Sequence, residues 1–372
     1  MTIGILPDEA LLEIFSFYLV EASNYIEPWL PLVHVCRRWR SIVFASPRHL
    51  DVRVFYTPKR QLEAMLDIWP NLPIYILRTW ADRHKPSRWQ HESNLIAALE
   101  HTNRICQIQL KGRSPSEFEG LLPAMQKQFP TLTGLDIECF QYGFLGALAL
   151  PEAFLGGSAQ HLRSCNLSAV EFPGTWKLLS TANHLVTLCL WHIPHSVYTS
   201  PEVMVTCLST MPNLESLSIG FLSPQSPHNR PDQPNRHLSP LTRVVLPSLT
   251  KFKFLVMAEY IEGFVSRIDV PLLNEVNISF FYQPVFDTPR LHDFLTRVEK
   301  FKAHNRGGVT FWGGSIEFKP ELELGSLILG ITGRELGRQV SSMAQLCGSS
   351  LHLPSALKRL DIREGFQIVL DR

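Results

Sequence analysis

Apolar positions recur along this chain with two different periods. Between Leu11 and Val43 they fall three and four residues apart, the spacing of one face of a helix. Leu11, Ile14, Phe15 and Tyr18 form one such face, and Leu32, Val35, Cys36, Trp39 and Val43 form a second. Leu6-Pro7-Asp8-Glu9 reads as a helix start. The missing N–H of proline costs nothing in a first turn, and two carboxylates there meet the positive end of the helix dipole. An aromatic-bearing loop with Tyr25, Trp29 and Pro31 separates the two faces, and Ser46-Pro47 ends the second. Two or three short helices bury too little surface to be secure alone. They must pack on the rest of the chain, on a partner, or on both.

From Ile105 onward the period changes. The unit is apolar, two others, apolar, one other, apolar. It reads Leu132-x-x-Leu135-x-Ile137, Leu162-x-x-Cys165-x-Leu167, Leu185-x-x-Leu188-x-Leu190, Leu214-x-x-Leu217-x-Ile219, Leu249-x-x-Phe252-x-Phe254 and Leu273-x-x-Val276-x-Ile278. The steps between first positions are 30, 23, 29, 35 and 24 residues. A further apolar residue follows three positions on: Phe140, Val170, Ile193, Leu222, Met257 and Phe281. Weaker copies stand at Ile105-x-x-Ile108-x-Leu110, Val298-x-x-Phe301-x-Ala303 and Leu357-x-x-Leu360-x-Ile362. Helical stretches are expected between them at Ser116–Phe129, Pro201–Met211 and Pro289–Val298, and again at Gly333–Cys347. One strand and one helix or loop per unit gives an α/β chain whose neighbouring units share a core. The short, even spacing and recurring register argue against a doubly wound sheet.

Two resemblances follow from these residues. Leu6-Pro7-x-Glu9, Leu12-x-Ile14-Phe15, Val35-Cys36-Arg37-Arg38-Trp39-Arg40 and Ser46-Pro47-x-x-Leu50 resemble an F-box, with a longer segment between the helices (Val20 to Pro31) than that family usually carries. An ordinary helical hairpin and a basic patch at Arg37-Arg38-x-Arg40 are the other readings, and three arginines neutralise few phosphates. The repeated unit resembles a leucine-rich repeat, although an apolar residue replaces the usual Asn or Cys after the strand. The expected fold class is therefore α/β: a short helical F-box followed by a curved, irregular leucine-rich-repeat-like solenoid. The expected division is 1–56 F-box, 57–100 adapter and 101–372 repeats, with a Pro-rich loop at 223–240. Within the adapter, Pro58–Trp69 reads as a helix, Leu72–Leu77 as a strand and Trp80–Pro86 as a polar connection.

Composition narrows the setting. The 372 residues carry a formal net charge of +1, which gives no sign of a nucleic-acid partner. No apolar run reaches membrane-spanning length, and Met1–Leu6 lacks the features of a secretory signal. The 7 cysteines include no C-x-x-C and mostly stand inside apolar patterns, as reduced core thiols of an intracellular protein do. In such a setting the glycosylation patterns at Asn166-Leu-Ser168 and Asn277-Ile-Ser279 are inert. Ser223, Ser226 and Ser239 each precede proline, a pattern that phosphorylation can use and that loops carry by chance.

Candidate chemistry is sparse. No P-loop, G-x-G-x-x-G, H-E-x-x-H or G-x-S-x-G is present. Gly307-Gly308 and Gly313-Gly314 bracket a strand at Val309–Trp312 and lack the Lys-Ser/Thr of a phosphate cradle. His192 and His195 have the spacing of two metal ligands without a convincing third, and read as loop histidines. Asp136 and Glu138 point to one face of one strand, either as paired acid/base groups or as solvated charges. Catalytic, cofactor and metal residues are expected to be none.

The outward positions of the repeats are Gln107, Gln109, Asp136, Glu138, Asn166, Ser168, Thr187, Cys189, Trp191, Ser216, Ser218, Lys251, Lys253, Asn277, Ser279, Lys300, Lys302, Arg359 and Arg363. They run from polar or acidic to basic. Trp191 is the strongest anchor for a partner, unless it packs under a loop. Asp136, Glu138, Trp191, Lys251, Lys253, Lys300 and Lys302 are the expected target-binding residues, and the lysines suit an acidic or phosphorylated ligand.

Proteins resembling this are substrate receptors of Skp–cullin–F-box ubiquitin ligases. The resemblance implies that the first domain docks on a Skp adaptor, and through it on a cullin, while the repeats hold a target protein. It places the adaptor-contacting role on Leu6, Pro7, Leu11, Ile14, Phe15, Leu32, Val35, Cys36 and Trp39, some of which must instead form the box's own core. A scaffold without a ligase, or a hydrolase or transferase with an unrecognised site, are the competing classes.

Overall fold

The structure, a computed structural model, describes residues 6–21, 27–56, 72–78, 88–112, 114–139, 147–171, 175–224, 243–301, 306–312, 315–320, 325–332, 336–351 and 359–364. The helix expected at 58–69, the connection at 80–86, the Pro-rich loop beyond Pro224, Phe140, Lys302 and Gly313-Gly314 lie outside the described residues.

The N-terminal helices are α1 (Asp8–Glu21), α2 (Leu30–Val35) and α3 (Arg37–Ala45). The pattern after Leu32 suggests one helix, but two are present. Cys36 is extended, with φ −158° and ψ 170°, and separates them. Arg40 serves the groups this break frees: its amide bonds the Cys36 carbonyl at 3.1 Å and its Nε donates to the Val33 carbonyl at 2.9 Å. The break lets Val33 on α2 and Ile42 and Val43 on α3 enter one core. Arg38 lashes the start of α1 to α3, donating through Nε and Nη2 to Asp8 Oδ1 at 2.9 and 2.7 Å.

The strands, in chain order, are β1 (Val54–Tyr56), β2 (Ile74–Arg78), β3 (Ile105–Gly112), β4 (Gly134–Cys139), β5 (Leu148–Ala149), β6 (Ser164–Ser168), β7 (Val170–Glu171), β8 (Thr187–Ile193) and β9 (Ser216–Phe221). They continue with β10 (Val244–Val245), β11 (Lys251–Val256), β12 (Ile268–Asp269), β13 (Glu275–Phe281), β14 (Arg306–Trp312), β15 (Ser315–Pro320), β16 (Ser326–Thr332) and β17 (Arg359–Glu364). Thirteen of those described form one sheet in the order β1-β2-β3-β4-β6-β8-β9-β11-β13-β16-β15-β14-β17. From β1 to β13 every neighbouring pair is parallel. At the far end β15 runs antiparallel to both β14 and β16. The short pairs β5–β7 and β10–β12 link successive between-strand segments.

All six full copies of the repeated unit become strands of this sheet, in register. Leu135, Cys165, Leu188, Leu217, Phe252 and Val276 form one continuous row, and every one of them is buried. Burial alternates along the strands: on β11 Phe252, Phe254 and Val256 are buried between more exposed neighbours, as are Val276, Ile278 and Phe280 on β13, so one face is covered and the other is open. That alternation does not fit a sheet covered on both faces. Over the covered face lie α4 (Arg88–Leu99), α5 (Thr175–Leu179), α6 (Pro201–Leu208), α7 (Ala258–Val265), α8 (Pro289–Arg297) and α9 (Leu336–Leu351), with α6 to α9 each packed on the next. Helix starts borrow acceptors from neighbouring units. Glu262 on α7 accepts the amides of Arg290 and Leu291 at 2.9 and 2.8 Å, and Gln283 accepts the Ala258 amide at 3.2 Å.

Two expected elements differ. Ser116–Phe129 is not a helix but two 3-10 turns, Pro115–Glu117 and Ala124–Gln126, because Gly120 and Pro123 interrupt it; Phe118, Leu121 and Met125 are buried all the same. Within the copy at Val298–Ala303, Glu299–Phe301 is a 3-10 turn after α8 and not a strand. The stretch 57–100 supplies β2 and α4 to the same sheet assembly.

Two apolar cores meet at β1. Val52, Val54 and Leu72 pack with Leu11, Phe15, Trp29, Leu32, Val33, Ile42, Val43 and Leu50 of the helical end. Tyr56, on the same strand, belongs to the long core under the sheet. The helical end therefore caps the first edge of the sheet.

Candidate functional site

The helical end sorts its apolar residues into two groups. Leu11, Phe15 and Leu32 are buried and form the helical end's own core. Leu6 and Trp39 pack against that core and stay partly exposed, the Trp39 ring lying 4.7 Å from that of Phe15. Pro7, Val35 and Cys36 are exposed, and so is Ile14. Phe17 and Tyr18, which the helical pattern left without a site role, are exposed beside Ile14, at 72% and 39% against 49%. Ile14, Phe17 and Tyr18 stand at i, i+3 and i+4 on α1 and so form a single stripe. An exposed apolar stripe on an otherwise well-packed helix is a candidate docking surface. The signal for it in the sequence is that α1 is apolar over more of its circumference than its own core can use.

The open face of the sheet is the second surface. Its middle row runs Gln109, Asp136, Asn166, Cys189, Ser218, Lys253, Asn277. On β3 to β6 the side chains satisfy one another. Gln109 Nε2 donates to Asp136 Oδ2 at 2.7 Å and Asn166 Nδ2 to Asp136 Oδ1 at 2.8 Å. The Tyr75 hydroxyl donates to Gln109 Oε1 at 2.9 Å, and Lys111 pairs with Glu138 at 3.0 Å. Burial in this network raises the Asp136 carboxyl above its ordinary range, against the lowering pull of Gln109, Lys111 and Asn166. Asp136 and Glu138 thus sit together, with their charges already engaged.

Trp191 is held in a different way. The register of β8 on β9 slips between Leu190 and Ile193, and His192 at φ 51° takes up the bulge. The indole then lies across β9 over Gly220, where any Cβ would meet its ring carbons at 2.0 and 2.2 Å. On the far side of β9 the Lys253 ammonium stands 5.1 Å from the ring centroid, a cation–π distance. Trp191 is partly exposed and Lys253 exposed. Lys251 pairs with Glu275 at 3.4 Å, with more than two fifths of each side chain open to solvent.

The structure does not bring Lys300 to this face. It lies in the 3-10 turn after α8, because Val298 and Phe301 cover the core edge from a turn and not from a strand. Of the four lysines expected there, Lys251 and Lys253 stand on β11, with Glu275 beside them.

Other reactive groups are tied up. His192 Nδ1 meets the Ser168 hydroxyl at 3.0 Å and His195 Nε2 meets that of Ser223 at 2.5 Å, so the two histidines serve separate partners. Burial lowers the pKa of both. Ser168 is itself buried, which keeps substrates from its hydroxyl. Burial pushes the Cys165, Cys189 and Cys207 thiols to about 12, 11 and 11, so none offers a thiolate near neutrality. Among the described residues no cluster of three His, Cys, Asp or Glu could hold a metal, and no helix is long and apolar enough to cross a membrane.

No curated protein matches the chain. Residues 3–53 match the family model described as F-box-like. That span holds α1 to α3 and the stripe on α1 and ends just before the first strand, so the helical end of this chain is an F-box-like domain.

Proposed function

We propose that the chain is the substrate-recognition subunit of a Skp–cullin–F-box ubiquitin ligase. In this reading α1 to α3 dock on the Skp adaptor, which links to the cullin. The sheet domain is a degenerate leucine-rich-repeat-like solenoid whose open face holds a target protein. The observation that carries the proposal is the exposed stripe Ile14, Phe17 and Tyr18 on α1 inside a span that matches an F-box. A scaffold whose helical end packs wholly on its own chain would have buried those side chains. Of the residues first expected at the adaptor, Pro7, Ile14, Val35 and Cys36 are open to it, and Leu11, Phe15 and Leu32 support them from below.

The chain then works without a catalytic residue. It raises the effective concentration of target lysines near a ubiquitin-charged enzyme, which converts an encounter into a near-intramolecular step. The reading entails an intracellular location, cytoplasmic or nuclear, where free thiols stay reduced.

The test uses the full chain. Deleting the first fifty residues would strip the cover from Val52, Val54 and Leu72, each side chain accounting for about 1.5–3 kcal/mol of burial. An Ile14→Glu/Phe17→Glu variant should lose co-purification with a Skp adaptor while its thermal melt stays at the wild-type temperature. Wild-type adaptor binding by that variant would overturn the docking assignment.

A further inference from the structure

The open face divides into a half that is chemically closed and a half that is not. On β3 to β6 both oxygens of Asp136 accept amide hydrogens and Glu138 is paired with Lys111. A ligand would have to break those bonds to use these carboxylates, leaving partners unsatisfied. On β8 to β11 the Lys253 ammonium has no carboxylate within ion-pair distance among the described residues. Its contact is the face of the Trp191 ring, a weak, exposed attraction. Lys251 has Glu275 at 3.4 Å, an exposed pair of the kind that contributes little and exchanges readily.

We infer that the Trp191–Lys253 platform is the docking site for an acidic, unphosphorylated, extended segment of the target. The inference rests on the reading of the sheet face as target-binding and names the chemistry it selects. Three features support it. First, Lys251 and Lys253 are two residues apart on one strand, so they leave the same face of the sheet from backbone positions about 6.7 Å apart. That matches alternate carboxylates of an extended chain laid along β11. A single phosphate group would call for donors converging on one point, and the two ammonium groups lean to opposite sides of β11 instead, that of Lys251 to Glu275 on β13 and that of Lys253 to Trp191 on β8. Second, Gly220 lets the indole lie flat across β9, leaving a planar apolar floor beside the two cations. A rigid aromatic next to an unmatched charge is the composition of an interface anchor. Third, the neighbours Ser218, Asn277 and Ser279 are small or neutral, and the Glu275 carboxylate beside them is engaged by Lys251, whereas a basic segment would meet Lys253 directly.

The experiment uses the full chain, with a Skp adaptor added, and three labelled probes read by fluorescence anisotropy. These are a short peptide alternating Glu and Ala, one alternating Lys and Ala, and an Ala peptide with a single phosphoserine. The Glu–Ala peptide should bind and should weaken as salt is raised. Lys253→Glu and Trp191→Ala should each weaken it by about tenfold or more. Binding that both variants leave unchanged would overturn the site. Failure of the Glu–Ala peptide to bind would overturn the acidic class, and binding of the phosphoserine peptide alone would overturn the choice of carboxylates. Adaptor co-purification, measured on the same samples, separates the two proposals. If the adaptor stays and the Glu–Ala peptide does not bind, only the acidic site falls. If the peptide binds as described and wild-type chain does not hold the adaptor, only the ligase reading falls.

Discussion

The indole N–H of Trp29 donates to the carbonyl oxygen of Arg53 at 2.9 Å. Trp29 stands at the start of α2 and Arg53 at the entry to β1, so one bond joins the F-box-like domain to the sheet. Trp29 is 2% exposed, and its ring packs 6.1 Å from that of Phe44. Removing the side chain should melt both regions together. Trp29→Ala is expected to cost about 3–5 kcal/mol in a single cooperative urea transition. Trp29→Phe, which keeps most of the packing and orphans a carbonyl, should cost about 1–3 kcal/mol. Separate transitions for helix and sheet signals would show that the two cores are independent.

Phe15 and Phe17 are neighbours on α1 with opposite surroundings. Phe15 is 1% exposed and Phe17 72%. Phe15→Ala should lower stability by about 3–5 kcal/mol, while Phe17→Ala should stay within about 0.5 kcal/mol of wild type and act on adaptor affinity instead. Trp39 stands between these cases, since its ring also supports Phe15, so Trp39→Ala should show in both a melt and a binding curve.

Asp136 makes stability depend on pH. Burial raises its folded pKa above the unfolded value of 3.8. A carboxyl whose folded pKa is raised favours the folded state most when protonated. Its contribution is fully present below the unfolded pKa and is lost as pH rises through the folded pKa. Urea midpoints compared between wild type and Asp136→Asn across the acidic range should therefore show a falling component in wild type just above pH 3.8 that the variant lacks. Equal slopes in the two proteins would count against the buried carboxylate.

Gly220→Ala tests how Trp191 is seated. The added Cβ would sit 2.0 Å from a ring carbon, so the indole must lift from β9. Overpacking of this kind costs about 1–3 kcal/mol. In the Trp191→Ala background the same change should be nearly neutral, giving a coupling of about 1–3 kcal/mol in a double-mutant cycle. Additive effects would place the ring elsewhere.

Much of the architecture was legible in the sequence because buried side chains alternate along a strand with period two. Leu135, Cys165, Leu188, Leu217, Phe252 and Val276 could be aligned by spacing alone, and they line up across the sheet. What spacing does not carry is the identity of the neighbour. Leu11 and Ile14 obey the same helical period, yet only Leu11 is buried within the chain, since periodicity cannot tell a core position from an exposed apolar one. Lys300 copied the strand pattern and lies in a turn, because the apolar spacing of Val298 and Phe301 fits one turn of helix as well as it fits a strand. Backbone breaks such as Cys36 and the bulge at His192 depend on tertiary packing, so local propensity gave no sign of them.

The shared core at β1 also makes the sheet a ruler. Trp191 on β8 is five strands removed from β1, which at about 4.8 Å per strand sets it roughly 24 Å along the sheet from the F-box edge. Lengthening a loop between strands leaves that offset unchanged. Adding or deleting one whole strand unit shifts it by about one spacing of 4.8 Å. The distance from the F-box-like edge to any residue of the open face is therefore quantised in strand widths, and chains built on this plan can be retuned in discrete steps.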